Sequence, residues 1–269
     1  MTRIASLGMY DMPWLLHAND ALWAGLASRL RAIGMDGVAE SLERTRSLAT
    51  VWRDPALLFA QTCGYPLMTA LNDVVTPFAA PVYSWSGCSG ATHCSVIVVL
   101  RASSFETLAD LRGRRAAING PDSNSGMNLF RHAVAPFAEG GRFFADVVTT
   151  GGHLASIDHV ASGRADVAAI DCVTFGLAHR HRPELVEGVR VIAETAKSPS
   201  LPFVTRAGAS AGEIAMLLSA VEEATADPQL VGAVEALGLK GVEPVCVDDF
   251  AVVLGYEQEA IAAEYPVLR

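Results

Sequence analysis

The residues best placed to do chemistry lie in one run, Asn119-Gly120-Pro121-Asp122-Ser123-Asn124-Ser125-Gly126-Met127. It joins a short strand-like segment, Arg115 to Ile118, to an amphipathic stretch holding Leu129, Phe130, Ala133 and Val134. The first turn of a helix leaves backbone N–H groups without intrahelical acceptors and carries partial positive charge. Ser123, Asn124 and Ser125 at such a turn could surround a tetrahedral oxyanion with neutral donors alone. Asp and Ser are also ordinary capping residues, so the pattern by itself leaves a plain N-cap equally open.

Two further turns have the same strand-to-helix form. Thr149-Thr150-Gly151-Gly152-His153 precedes a helix carrying Ile157, Val160 and Ala161. His153 would sit at its start, where it could donate to an anion, be drawn towards its charged form by one, serve as an acid or base, or merely cap the helix. Ala168-Ala169-Ile170-Asp171-Cys172-Val173-Thr174 puts an acid at the carboxyl end of an apolar strand, with Thr174 opening the next helix. Asp171 there either accepts a hydrogen bond from a ligand or caps that helix. Tyr10 and Tyr65, each just after a strand-like segment, could close over a ligand, with Tyr83 and Trp85 as further aromatic walls. The sequence contains no Gly-x-Ser-x-Gly elbow, Walker loop or dinucleotide fingerprint.

Short apolar runs alternating with amphipathic stretches position these turns, a pattern that predicts an α/β fold with mainly parallel sheets flanked by helices. Arg3 to Leu7 and Leu57 to Gln61 read as strands. Between them Asn19 is expected to cap a helix whose Leu22, Trp23, Leu26, Leu30 and Ile33 form one face and which stops at Gly34. Thr62-Cys63-Gly64-Tyr65-Pro66 is a turn in which Pro66 opens the following helix. Val96 to Leu100 has no polar face and reads as a buried strand crossing between lobes. Arg115 to Ile118, Ala145 to Val148, Val167 to Ile170 and Val189 to Ala193 are the strands of a second lobe. The helices Ala211 to Ala226 and Asp249 to Ala263 have no such strands beside them and are expected to return to the first. The organisation is thus 1–95 plus 199–269 as one lobe and 96–198 as the other, with a hinge between them.

Composition limits the partners. The 269-residue chain is 51% hydrophobic and 18% charged, enough to bury a core, and its formal net charge of −9 with no long basic run argues against nucleic acid. The weakly charged stretches Pro55 to Asn72 and Val74 to Leu100 are interrupted by polar and turn residues, so no membrane span is expected. Residues 1–13 lack the apolar core of an export signal, which implies a cytoplasmic protein unless a leader precedes them. Five cysteines without a Cys-x-x-Cys pair read as free thiols, and His93 beside Cys94 is poor geometry for a shared metal. No cofactor and no metal are expected.

The three turns in this order resemble the phosphate, phosphite and phosphonate substrate-binding proteins of ABC transporters, which have the two-lobed type 2 periplasmic-binding-protein fold. The resemblance rests on Gln61-Thr62-Cys63-Gly64-Tyr65-Pro66, Leu108-Ala109-Asp110-Leu111-Arg112-Gly113, Asp122-Ser123-Asn124-Ser125-Gly126, Gly152-His153, Ala169-Ile170-Asp171 and Ser198-Pro199-Ser200-Leu201-Pro202. It implies that Ser123, Asn124 and Ser125 hold the oxyanion in an interlobe cleft, with His153 contributing, and that the partner is an ABC permease or a sensor. Asn124 stands where the family commonly has Thr. Asp171 is the one carboxylate available for a ligand amine, since apolar Phe203 follows Ser198 to Pro202. The resemblance also implies a place outside the cytoplasmic membrane. The rival reading is an enzyme on the same fold, acting on a small carboxylate in the manner of chorismate dehydratase.

Overall fold

The computed structural model describes residues 2–269. Every residue of the run Leu57–Gln61 is buried, in keeping with a strand that has neighbours on both sides. It lies in a five-stranded sheet ordered Ile4–Ala5, Leu57–Gln61, Phe203–Arg206, Val75–Tyr83, Leu239–Pro244. Phe59 packs against Trp23, Phe78 and Phe203 with ring centroids 5.8, 5.9 and 4.9 Å apart. Helix Leu16–Ala32 supplies that tryptophan and buries Leu22, Leu26 and Leu30 on the same side.

The helix begins before Asn19. That residue is therefore interior, and its buried amide donates to the Tyr10 carbonyl at 3.2 Å and to Asp11 Oδ1 at 2.9 Å, tying down the preceding loop. A side chain that satisfies a loop from inside a helix has the same composition signal as a cap, which is why position misled. Ile33 lies outside the buried face, and Gly34 with φ +86° ends the helix as expected. The first strand is only Ile4–Ala5, and Pro66 is the third residue of helix Gly64–Met68, with Cys63 at the cap.

A second five-stranded sheet is ordered Asp146–Thr149, Arg115–Ile118, Val167–Asp171, Ser95–Leu100, Val189–Glu194. Its first three strands are parallel, but Ser95–Leu100 runs antiparallel to both its neighbours. In the first sheet only Ile4–Ala5 with Leu57–Gln61 is a parallel pair. Both sheets are thus mixed rather than mainly parallel. Strands joined by a crossover helix are held parallel. Ser95–Leu100 and Phe203–Arg206 arrive by other routes and are free of that constraint.

The chain divides into two compact units. One holds the chain up to Ser84 with Ser89–Ala91 and Pro199–Asp249; the other holds Trp85–Cys88, Thr92–Ser198 and Phe250–Arg269. The expectation for the C-terminal helix is corrected here: Ala251–Ala262 and the tail belong with the second unit, not the first. Buried polar ties decide this. Asn128 Nδ2 donates to the Val253 carbonyl at 2.9 Å, Arg131 reaches the Pro266 carbonyl at 2.8 Å and Glu257 at 3.2 Å, and the Arg269 carbonyl accepts from Phe143 N at 2.7 Å. None of these has a periodicity. Among the described residues no helix is long and apolar enough to cross a membrane.

Candidate functional site

Because Asp146–Thr149, Arg115–Ile118 and Val167–Asp171 are mutually parallel neighbours, their carboxyl ends share one edge of the second sheet. The three turns singled out in the sequence are the three that leave that edge, so the topology collects them.

Ser123 is the N-cap of the central turn: its Oγ accepts from Gly126 N at 3.0 Å. The next five residues, Asn124–Asn128, form one π-helical turn, with Asn128 N bonded to the Ser123 carbonyl at 3.0 Å, before the α-helix Leu129–Val134 takes over. A π turn widens the first coil of the helix, a feature found often at functional sites. Ser123, Asn124 and Ser125 are all buried. Ser125 Oγ lies 2.9 Å from His153 Nε2 and 3.4 Å from Ser123 Oγ, so two hydroxyls and an imidazole converge. Ser95, which the sequence did not single out, supports the turn by donating to the Ser125 carbonyl at 2.8 Å. Gly126 makes the convergence sterically feasible, because a Cβ there would stand 1.9 Å from Asn119 Oδ1 and 3.2 Å from His153 Cε1.

Asn124 is used differently from the two serines. Its amide donates to Ser198 Oγ at 2.9 Å and its Oδ1 accepts from Asn128 at 3.0 Å, so the side chain braces the polypeptide. What it can offer an anion is its place in the helix's first turn. Asp171 and Thr174 are likewise committed: Asp171 Oδ2 accepts from Thr174 N at 2.8 Å and Thr174 Oγ1 at 2.9 Å, while Oδ1 lies 2.8 Å from His93 Nδ1. The capping role that the sequence left open for Asp171 is thus present in the structure. His93 was read only as a poor metal ligand; its pairing with Asp171 follows from the register Ser95↔Asp171, which no local pattern announces.

Burial opposes charge on both Asp171 and His153, with different outcomes. For Asp171 the desolvation is outweighed by the hydrogen bond and charge of His93 and by Thr174 N, leaving its carboxyl lowered to about 2. For His153 burial wins over the pull of the Asp171 charge, and the imidazole falls to about 4, neutral at physiological pH. Among the described residues His93 Nε2 has no hydrogen-bond partner, and the Ala169 backbone gives the His153 ring a pull towards its charged form that burial overrides.

Tyr10 and Tyr65 lie in the first unit. Tyr10 is buried edge-on against Tyr83 with ring centroids 5.8 Å apart, and Tyr65 sits on helix Gly64–Met68 with its carbonyl accepting from Thr69 Oγ1. Among the described residues one set of potential metal-binding atoms gathers within 4.8 Å, on His93, Asp171 and Cys172. Two of its members already bond each other, His93 Nδ1 with Asp171 Oδ1 at 2.8 Å, and Cys172 Sγ lies 3.5 Å from Cys88 Sγ.

A comparison with curated proteins gives no match. Among solved structures the chain is similar to the binding-protein component of an ABC phosphonate transporter from Pseudomonas aeruginosa, at 17% identity over 98% of this chain and 87% of that one, with a TM-score of 0.76. It is also similar to PhnD1 from Prochlorococcus marinus in complex with methylphosphonate, at 14% identity over 96% and 97% of the two chains, TM-score 0.73. A third similar structure is XAC2383 from Xanthomonas citri bound to ATP, at 16% identity over 97% of each chain, TM-score 0.70. These likenesses show the two-lobed binding-protein fold. A family model described as the periplasmic substrate-binding protein of phosphonate ABC transporters matches residues 52–250, and the chain belongs to that family.

Proposed function

We propose that this protein captures a small phosphonate-class oxyanion at the helix start Ser123–Ser125 and delivers it to an ABC permease, working outside the cytoplasmic membrane. The observation that carries the reading is the convergence of Ser123 Oγ, Ser125 Oγ and His153 on a helix's first turn. Buried neutral donors suit an anion there because helix amides supply the partial positive charge and no counter-ion has to be displaced. The matching family supports the ligand class.

The prior engagement of Asp171 argues for a ligand without an amine. Both its oxygens already bond within the protein, with Thr174 N and Oγ1 on Oδ2 and His93 on Oδ1, so of about four acceptor sites one is left for an ammonium group. Binding is favoured over catalysis by His153. Its low proton affinity makes it a poor base at neutral pH, so the Ser125–His153 pair holds a hydroxyl without activating it.

Calorimetric titration with methylphosphonate, phosphite and phosphate tests the reading. Ser123→Ala together with Ser125→Ala removes two charge-assisted hydrogen bonds and should weaken binding by about 3 kcal/mol or more, over a hundredfold. Unchanged affinity in a folded double variant rejects the site, and recovery of a converted ligand in place of the intact one rejects the binding role.

A further inference from the structure

One step along the pairing from Ser95 and Asp171, three cysteines far apart in sequence come together. The register Ser95↔Asp171 continues one step to set Cys94 against Cys172, joined by the bond from Cys172 N to the Cys94 carbonyl at 3.1 Å. The turn Trp85–Cys88 brings a third sulfur, with Cys88 Sγ 3.5 Å from Cys172 Sγ. Gly87 (φ +88°) lets that turn press in: a Cβ there would stand 2.8 Å from Cys94 Sγ and 3.1 Å from Cys172 Sγ. All three are reduced in this structure.

We propose that Cys88 and Cys172 form a disulfide when the protein meets a low-molecular-weight disulfide oxidant, stapling the Trp85–Cys88 turn to the start of helix Cys172–His181. Access selects the pair. Cys94 is 0% exposed and Cys172 2%, whereas Cys88 is partly open to solvent, so the oxidant enters at Cys88. The sulfur next to it is Cys172, 3.5 Å away, so the pair has to close by about 1.5 Å to reach bonding distance. The hydrogen bond with Cys88, with burial behind it, pushes the Cys172 thiol up, so Cys172 acts second, as the resolving thiol. Cys88 displaces one thiol from the oxidant to give a mixed disulfide. Cys172 then attacks the Cys88 sulfur and releases the second thiol. Two electrons and two protons leave the protein, and the oxidant becomes two thiols.

The test is to treat the reduced full-length chain with oxidised glutathione and follow intact mass, alkylation and a non-reducing peptide map. The expected result is loss of two hydrogens, three of the five cysteines still alkylated after denaturation, and a linked peptide containing Cys88 and Cys172. Cys94→Ser should form the same link, and Cys88→Ser should not. A linked peptide containing Cys94, a stable glutathione adduct on Cys88 without resolution, or five alkylated cysteines after treatment overturns the proposal.

Discussion

Replacing His153 by glutamine should remove a specific part of the protein's sensitivity to acid. In the folded chain burial lowers the imidazole from the usual 6.5 to about 4, so unfolding at mildly acid pH is accompanied by proton uptake. The unfolded state binds more protons throughout that interval, so stability falls as pH drops below 6.5 and stops falling below 4. Integrating between pH 7 and pH 4.5 gives a loss of about 2 kcal/mol assignable to this one group. Glutamine can keep a hydrogen bond to Ser125 Oγ but does not titrate. Urea unfolding of both proteins, followed by tryptophan fluorescence at pH 7 and 4.5, yields the difference of differences and cancels the other histidines and the carboxylates. The variant should lose about 2 kcal/mol less than the parent over this range. Equal losses would show that His153 is solvated when folded, and the neutral-donor account of the site would go with it.

Two other perturbations probe the scaffold. Gly126→Ala drives a methyl into Asn119 Oδ1 and against the His153 ring, so it should cost about 1–3 kcal/mol in urea unfolding and weaken methylphosphonate binding in the same preparation. Arg131→Ala removes a buried guanidinium that bonds Asn128 Oδ1 at 2.7 Å and the Pro266 carbonyl at 2.8 Å; about 3 kcal/mol should be lost, and limited proteolysis should cut first within residues 263–269.

Much of the candidate site was readable because its residues sit at strand-to-helix turns, where Gly, Ser, Asp and His carry local meaning. The strands Leu57–Gln61 and Arg115–Ile118 were readable for the same reason, being short apolar runs bounded by turn residues. What the residues do with one another was not readable. Asp171 meets His93 only because two strands pair antiparallel at one register, and Asn124 meets Ser198 across 74 positions of sequence. The direction of Ser95–Leu100 was hidden likewise, since an all-apolar strand reads the same whether its neighbours run with it or against it. The C-terminal helix Ala251–Ala262 went astray because its attachment depends on carbonyls, which every residue has.

The first sheet also governs how the protein is made. Its central strand, Phe203–Arg206, fills the gap between Leu57–Gln61 and Val75–Tyr83, yet the chain linking Gln61 to its Leu201 acceptor is 140 residues long. At ribosomal speed that separation is a delay on the order of 10 s, during which two apolar strands have emerged with their facing edges unclaimed. A nascent molecule in that interval is a template for its neighbours on the same message, so crowded translation carries an aggregation risk that the finished fold does not show.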